Sequence, residues 1–293
     1  MSESIASLRH QIDSAEELKS VVRSMKAMAS SSIGQYENAV RSLDDYYRTV
    51  QLGLAACFRQ GSPVVSGPKR QPKDKASIGV VVFGSDQGLV GQFNDVMVDF
   101  VVDALKQLPC EKRVWAVGER LQSRLKEANL VLQDDFLLPK SINAITSLVG
   151  QILTEIEAQR EQGIIGQVYL FHHRPKSGAI STPVSQVLLP LDELWQENML
   201  SIKWPTNNVP EVMPKPDQTL RALIREYLFA SIFRACAESL ASENASRLAA
   251  MQRAEKNIED LQKDLNLTFQ RLRQSSIDEE LFDVISGFEA LIE

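Results

Sequence analysis

A glycine-rich segment is the part of the sequence that comes closest to a ligand-binding motif. It reads GSDQGLVGQFN at positions 84–94, after a β-branched run and before an apolar pattern of helical spacing. In a parallel sheet, a loop at this position commonly binds phosphate. The segment lacks GxGxxG spacing and the Lys-Ser/Thr pair of a phosphate-binding loop. We therefore favour a structural turn over a nucleotide site, with Gly84, Gly88 and Gly91 supplying unusual dihedral angles and close packing.

The histidines and cysteines do not form a recognisable catalytic or metal-binding set. His172 and His173 are adjacent at the end of a predicted strand, so they point to opposite faces and cannot easily share one metal ion. His10 is alone on a charged helix face. The three cysteines are far apart and form no CxxC motif. The sequence therefore predicts no catalytic residue, no cofactor, no metal site and no disulfide framework.

The charge balance argues against two classes of partner. The 293 residues include 32 basic and 38 acidic side chains, a formal net charge of -6. This balance gives no global electrostatic case for binding nucleic acid or an anionic membrane. The N-terminus carries acidic residues early, and no run of about 18 apolar residues occurs. We expect neither a cleaved signal nor a membrane-spanning helix.

The distribution of proline indicates the elements at the two ends of the chain. All 12 prolines lie between Pro63 and Pro216, which leaves both ends free of the strongest helix breaker. Over positions 5–54 and 220–288, apolar residues recur mostly at helical spacing. The sequence therefore predicts two long terminal helices, which pack against each other as an antiparallel coiled coil because neither is stable with its apolar stripe exposed.

The charged residues of the C-terminal segment, Glu238 and Glu243 among them, are interpreted mainly as the solvated face of this coiled coil. The cluster RLRQSS at 271–276, near the tip, is a better candidate for contacts with a partner. At the tip, part of the helix surface is not covered by the second helix and is free to bind.

Between the two ends, β-branched runs alternate with helical patterns. The predicted strands cover 77–83, 114–118, 130–136 and 167–173. This alternation favours a Rossmann-like α/β domain with a mostly parallel sheet, so the predicted fold class is α/β plus a long antiparallel coiled coil. The expected domains are an N-terminal coiled-coil helix over 1–62, a linker over 63–75, the central α/β domain over 76–205, a connection over 206–216 and a C-terminal coiled-coil helix over 217–293.

Several motifs resemble the gamma subunit of F-type rotary ATP synthases. ASENASRLAAMQRAEKNI at 241–258 is similar to the family's Ala-Ser-Glu, Ala-x-Arg, Ala-Met and Asn pattern. RQSSIDEEL at 273–281 is similar to its Arg-Gln-x-x-Ile-x-x-Glu ending. Segment 84–94 resembles the family's Ser-Asp-Arg-Gly-Leu-Cys-Gly stretch, and VSQVLLPL at 184–191 resembles its Gln-Leu-Leu-Pro-Leu stretch. The resemblance covers nearly the whole chain.

The resemblance implies a central rotor shaft that transmits torque and catalyses nothing. Its coiled coil would turn inside a hexamer of alpha and beta subunits, and its α/β domain would form the foot on the membrane c-ring. The epsilon subunit is a further implied partner, and the implied location is peripheral, at the cytoplasmic face of the bacterial inner membrane. Coupling contacts with the alpha/beta head are implied for Met25, Arg247, Arg273 and Gln274.

The chain departs from the family pattern at four positions. Glu17 stands where the family has asparagine, Ser20 replaces a basic residue, Val22 replaces a threonine, and Gln87 replaces the arginine of the glycine-rich segment. Contacts that typical members make at these positions cannot be assumed here.

Two other functional classes stay open. One is an α/β enzyme or nucleotide-binding protein with a coiled-coil dimerisation arm, and the other is a coiled-coil scaffold without energy coupling. Micromolar ATP binding by the isolated chain would favour the first, and the motifs near the C-terminus argue against the second.

Overall fold

The computed structural model describes residues 4–60, 77–108, 110–133, 136–176, 179–208, 210–212 and 215–292. The predicted linker at 63–75 therefore lies outside the described residues. In chain order the elements are α1 (Ile5–Arg59), β1 (Ser77–Phe83), α2 (Phe93–Lys106), β2 (Lys112–Val117), α3 (Glu119–Glu127), α4 (Ile142–Glu161), β3 (Ile165–Lys176), β4 (Ala179–Leu189), α5 (Glu193–Leu200) and α6 (Pro216–Ile292).

The two long terminal helices are confirmed, with 55 residues in α1 and 77 in α6. Pro216 occupies the first position of α6, where its fixed φ suits a helix and its missing N–H leaves no bond unmade. The chain divides into two compact units, Met1–Ala29 with Leu248–Glu293, and Ser30–Arg247. We call these the helical unit and the sheet unit.

In the helical unit, the two helix segments run antiparallel. Lys19 pairs with Glu259 at 3.0 Å and Arg23 pairs with Glu255 at 2.9 Å, so the position on α6 moves backward as α1 moves forward. Leu8 and Ala15 are buried one heptad apart, which is the spacing of a coiled-coil seam. The predicted antiparallel coiled coil is confirmed within this unit.

The sheet unit contains a four-stranded sheet in the order β2-β1-β3-β4. β1 pairs in parallel with β2 and β3, and β3 pairs antiparallel with β4. Every residue of β1 is buried, because helices cover both faces of this central strand and its apolar sequence SIGVVVF suits both. The predicted mostly parallel sheet is confirmed.

Helices form a layer on each face of the sheet. On one face, buried residues of α2 and α3, including Met97, Val101 and Leu121, pack on the sheet. On the other face, α4 packs together with the parts of α1 and α6 that belong to this unit, and Leu54 and Ile232 lie in this core. The sheet unit is therefore a three-layer α/β/α domain, as the Rossmann-like prediction requires.

The sequence analysis did not predict β4 and α5. It did predict a strand that the structure shows only in part. Around the predicted strand 130–136, Leu132 and Phe136 form only isolated bridges to Val114 and Val117 of β2. Among the described residues, no helix is both long and apolar enough to cross a membrane.

Candidate functional site

The glycine-rich segment forms a closed turn between β1 and α2. Ser85 and Asn94 are both buried. The Ser85 backbone N–H donates to Asn94 Oδ1 at 3.1 Å, and Asn94 Nδ2 donates to Ser85 Oγ at 2.8 Å. The Ser85 hydroxyl then donates to the Gln87 carbonyl at 2.9 Å. Asn94, in the first turn of α2, thus links the start of the turn to its end.

Two of the three glycines behave as predicted. A Cβ on Gly84 would lie 2.4 Å from the Cβ of Leu121, so close packing of the turn against α3 requires glycine there. Gly91 has a φ of 61°, in the left-handed region that glycine adopts at low cost. Gly88 has open space around it and no left-handed φ. For Gly88 the prediction of close packing or an unusual dihedral angle is wrong.

Three polar side chains of the turn, those of Ser85, Asp86 and Asn94, are bonded within the chain. Asp86 Oδ1 accepts a hydrogen bond from the backbone N–H of Glu119, the first residue of α3, at 3.1 Å. At the start of α2, where a phosphate bound by this segment would lie, the Asn94 side chain is bonded to Ser85. These contacts favour the structural interpretation of the turn over a phosphate site.

The adjacent histidines of β3 contact opposite layers, as the alternation predicted. His172 Nε2 lies 2.9 Å from Glu238 Oε2 on α6, whereas His173 Nε2 donates to the Phe93 carbonyl of α2 at 2.9 Å. Burial is the main cause that lowers the pKa of His173 to about 4, so this side chain is neutral at physiological pH. Within the described residues, no group of three or more His, Cys, Asp and Glu could hold a metal ion.

Glu238 is the buried centre of an ionic cluster in the sheet unit, whose outer members are partly exposed. Its Oε2 accepts hydrogen bonds from His172 Nε2 and Arg174 Nε of β3, both at 2.9 Å, and its Oε1 accepts from Arg234 Nε at 2.9 Å. Arg234 also pairs with Asp44 of α1 at 3.1 Å. We call these five residues the Glu238 cluster. It joins one strand to both long helices.

The electrostatics of this cluster keep Glu238 ionised. Burial alone would raise the pKa of Glu238, but the hydrogen bonds from His172, Arg234 and Arg174 outweigh it and lower the pKa to about 2. Because the carboxylate can only accept, His172 donates through Nε2. His172 Nδ1 has no hydrogen-bond partner among the described residues.

A second buried carboxylate, Glu243, lies one and a half turns further along α6. Its Oε1 accepts from Arg247 Nη2 at 2.7 Å, while its Oε2 has no partner among the described residues. Burial raises the pKa of Glu243 to about 7, with Asp86 adding to the rise and Arg247 opposing it. Glu243 is therefore partly protonated near neutral pH.

Glu238 and Glu243 are each only 4% exposed, so the interpretation of these two as solvated coiled-coil residues is wrong. The reason is local: they belong to the part of α6 that packs inside the sheet unit. One feature of the sequence did indicate that these two glutamates are buried. Both glutamates occur in a run of small residues, ACAESLASENAS at 235–246, where helices can approach closely.

The four predicted coupling residues do not form one cluster. Met25 is half-buried in the helical unit, and the ion-pair register places it beside residue 253 of α6. Arg273 and Gln274 are exposed on α6 about 20 residues away, roughly 30 Å along the helix. Arg247 belongs to the sheet unit and is engaged with Glu243.

Met25 borders an exposed apolar surface on α1. Leu18, Val21 and Met28 are 57%, 56% and 70% exposed, and their spacing puts them on the same side of the helix as Met25. Large apolar side chains exposed along one face are typical of a protein–protein contact surface.

The C-terminal part of α6 is a second surface of this kind. From Arg273 to Ser286, every side chain except Ser276 is exposed. Continuing the ion-pair register places Ile5, the first residue of α1, beside Arg273, so the residues beyond it extend past α1. Ile277, Leu281 and Phe282 are more than half exposed there.

Comparison with known proteins places these features in a family. The family model described as ATP synthase matches residues 4–291. The ATP synthase gamma chains of Polynucleobacter asymbioticus and Salinibacter ruber are 24% and 26% identical to this chain. Those alignments cover 97% and 98% of this chain, and 98% and 97% of the respective relatives.

Solved structures show the same fold. The chain is similar to one in the rotor of the Euglena gracilis mitochondrial ATP synthase, with 15% identity and a TM-score of 0.62 over 93% of this chain and 98% of that chain. A chain of the Tetrahymena thermophila mitochondrial ATP synthase, in its central stalk and c-ring, has 20% identity and a TM-score of 0.56 over 80% of this chain and 99% of that chain. With a family match over nearly its whole length, the chain belongs to the ATP synthase family, as one of its gamma chains.

Proposed function

We propose that this chain is the central rotor shaft of an F-type ATP synthase. It couples ion flow through the membrane ring to ATP synthesis or hydrolysis in the alpha/beta head by transmitting torque, and it is a non-catalytic subunit. The family match over residues 4–291 carries this proposal. The paired helices support it, because an antiparallel coiled coil with ion pairs along its side suits a shaft that must resist twisting.

The proposed partners are the alpha and beta subunits, the membrane c-ring and the epsilon subunit. Support comes from the solved relatives, which are described as a rotor, as a central stalk with c-ring, and as part of an assembly of OSCP, F1 and c-ring. The proposed location is peripheral, at the cytoplasmic face of a bacterial inner membrane. We also propose the domain boundaries given above as the functional division into shaft helices and foot.

The proposed contacts with the alpha/beta head are Met25, Arg247, Arg273 and Gln274. Met25 is supported by the exposed apolar side chains beside it on α1, and Arg273 and Gln274 by their exposure at the start of the unpaired part of α6. Arg247 is supported least by its surroundings, because its guanidinium is already bound to Glu243. A contact through Arg247 would use its remaining donors.

Assembly tests this function directly. The chain is co-expressed with the alpha and beta subunits of the same source, and the subunit ratio and ATPase rate are measured with and without it. We expect one copy for every three alpha–beta pairs, with an ATPase rate that depends on its presence. A folded chain that stays alone would contradict the proposal.

Calorimetry on the isolated chain tests the alternative that the protein binds nucleotides. We expect no heat of ATP binding, because Ser85, Asp86 and Asn94 of the turn at 84–94 are bonded within the chain. Micromolar ATP binding would favour that alternative.

A further inference from the structure

The part of α6 that packs inside the sheet unit is largely apolar around the Glu238 cluster, although a few of its other buried side chains, such as Ser239 and Ser242, are polar. Buried residues on both sides of the interface between the sheet and α6, such as Leu170 of β3 and Leu240 of α6, lie in one hydrophobic core. Apolar contacts are individually non-directional, so they resist a small rotation of a helix over a sheet less steeply than hydrogen bonds do. Hydrogen bonds to a carboxylate are directional and weaken steeply when they are bent. The two donors from β3, His172 and Arg174, therefore add a sharp constraint on rotation of α6 to that of the surrounding core.

The Glu238 cluster connects three elements, β3, α6 and α1, at one place. His172 and Arg174 leave the same face of β3, two residues apart, and both donate to one oxygen of Glu238. Arg234 donates to the other oxygen and reaches Asp44 of α1. α6 is thus held directly to β3, and α1 is held to α6 beside the same point. β3 lies next to the central strand of the sheet.

We infer that Glu238 is a positioning residue that fixes the angle between the sheet and the last helix, so that torque passes between them without slipping; the torque part of this inference rests on the shaft function proposed above. A carboxylate suits this role better than an apolar side chain. A buried ionic cluster adds little net stability compared with apolar residues of similar volume, because its desolvation cost is large. Its directional bonds, in contrast, define one orientation.

The test compares the natural chain with a variant in which the cluster is apolar. The variant carries Glu238→Met, Arg174→Met and His172→Phe, while Arg234 keeps its pair with Asp44. Replacing the carboxylate together with its two donors on β3 avoids leaving an unpaired buried charge. Folding of the variant is verified by circular dichroism before any comparison.

The first measurement uses the isolated chain and needs no partner. Spin labels are attached at Ser185→Cys on β4 and Ala222→Cys on α6, two exposed positions, in a Cys110→Ser background. Cys57 and Cys236 are buried and remain in place. We expect the distribution of distances between the labels to become at least twice as wide in the apolar variant. An unchanged width in a folded variant would overturn the inference.

A matched control uses an ion pair that joins α6 to α4 at the surface. Arg225 and Glu157 lie 3.4 Å apart and are 69% and 45% exposed, so Glu157→Gln removes a pair without a buried centre. We expect the distribution of label distances in this control to be as wide as in the natural chain. If the apolar variant fails to fold, the single variant Arg174→Met replaces it, because Arg174 is half-exposed and supplies only one of the three bonds. It should widen the distribution by a smaller factor.

The second measurement uses the assembled enzyme. With the head fixed to a surface and a probe on the sheet unit, the torsional stiffness of the shaft is obtained from the angular fluctuations of the probe. We expect the stiffness to fall to about half or less in the apolar variant, with a lower yield of ATP per ion. A stiffness equal to that of the natural chain would contradict the torque role. Failure of the shaft function itself would appear separately, as loss of assembly by the unaltered chain.

Discussion

At the scale of single residues, Glu243 links the protonation of one side chain to stability. Burial raises its pKa in the native state from an ordinary 4.5 to about 7. Between these two pH values the native state holds a proton that the unfolded chain has released. The stability that this proton provides is fully present below the unfolded pKa and is lost as pH rises through about 7. The change amounts to about 3 kcal/mol over that interval.

We predict that Glu243→Gln removes this part of the pH dependence. The free energy of unfolding is measured with urea at pH 5 and at pH 8, and the value at pH 5 minus the value at pH 8 should be lower in the variant than in the natural chain by about 3 kcal/mol. The sign of this difference matters, because buried His173, whose pKa is lowered to about 4, makes stability rise with pH over part of the same interval in both proteins. The exposed residue Glu279 supplies the control, because Glu279→Gln should leave the pH dependence unchanged. Equal slopes in the Glu243 variant and the natural chain would disprove the protonation argument.

Gly84 provides a second residue-scale prediction. A Cβ at this position would lie 2.4 Å from the Cβ of Leu121, a separation that requires the turn or α3 to move. We expect Gly84→Ala to destabilise the chain by about 1–3 kcal/mol, the usual cost of overpacking a core. Gly88→Ala is the matched control, since it lies in the same turn with open space around it, and its effect should be small. Thermal unfolding of the two variants compares them, and equal melting temperatures would show that the turn adapts.

At the scale of elements, the exposed end of α6 is where the structure is most open to a partner. We predict that Arg273→Ala with Gln274→Ala weakens coupling between ATP hydrolysis and ion pumping in the assembled enzyme while leaving the isolated chain folded. Exposed side chains contribute little to the stability of the chain itself. Pumping and hydrolysis are measured together in membrane vesicles, and circular dichroism reports on the fold.

Preceding residues of the same helix offer a control of similar chemistry. Lys263 and Gln270 are also exposed, lie outside the cluster at 271–276 and carry a cationic and an amide side chain. Lys263→Ala with Gln270→Ala should leave coupling closer to normal if the contact is specific in position. Unchanged coupling in the Arg273 and Gln274 variant would remove both residues from the proposed contacts.

The elements that the sequence predicted well share a strong and continuous pattern. Apolar residues at helical spacing, without proline, were sufficient for α1 and α6, and the run SIGVVVF was sufficient for β1. β4 was missed because its sequence AISTPVSQVLL contains a proline and several polar residues, which an edge strand tolerates and a central strand does not. Strand 130–136 was predicted because its composition suits a strand, although its described residues form isolated bridges, at Leu132 and Phe136, in place of a strand.

The candidate site was harder to predict, for a different reason. The opposite orientation of His172 and His173 followed from strand alternation, but their partners did not. Glu238 meets His172 across 66 residues of sequence and Arg174 across 64, and a single sequence carries no information about which distant residues meet. A charged residue in a helical pattern is more often solvated than buried, so the general rule failed at Glu238 and Glu243.

At the scale of the whole molecule, this gamma chain is the central shaft of its enzyme and is not itself catalytic. Its two units have distinct kinds of surface and core. The sheet unit has apolar cores on both faces of its sheet, whereas the helical unit is held by a narrow seam and by ion pairs along its side. The helical unit therefore exposes much of its apolar surface in the isolated chain, and assembly with partners is expected to cover that surface.

The two helix segments of the helical unit are far apart in the sequence, so they can pair only late in the synthesis of the chain. Arg23 and Glu255 are separated by 232 residues. At about 5–20 residues per second, a ribosome completes the N-terminal segment roughly 10–50 s before it reaches the partner segment. During that interval the start of α1 waits as an unpaired amphipathic segment on the nascent chain, a surface of the kind that chaperones protect. The two segments therefore pair late in synthesis, and a stop codon placed shortly before Glu255 leaves the segment around Arg23 without this partner.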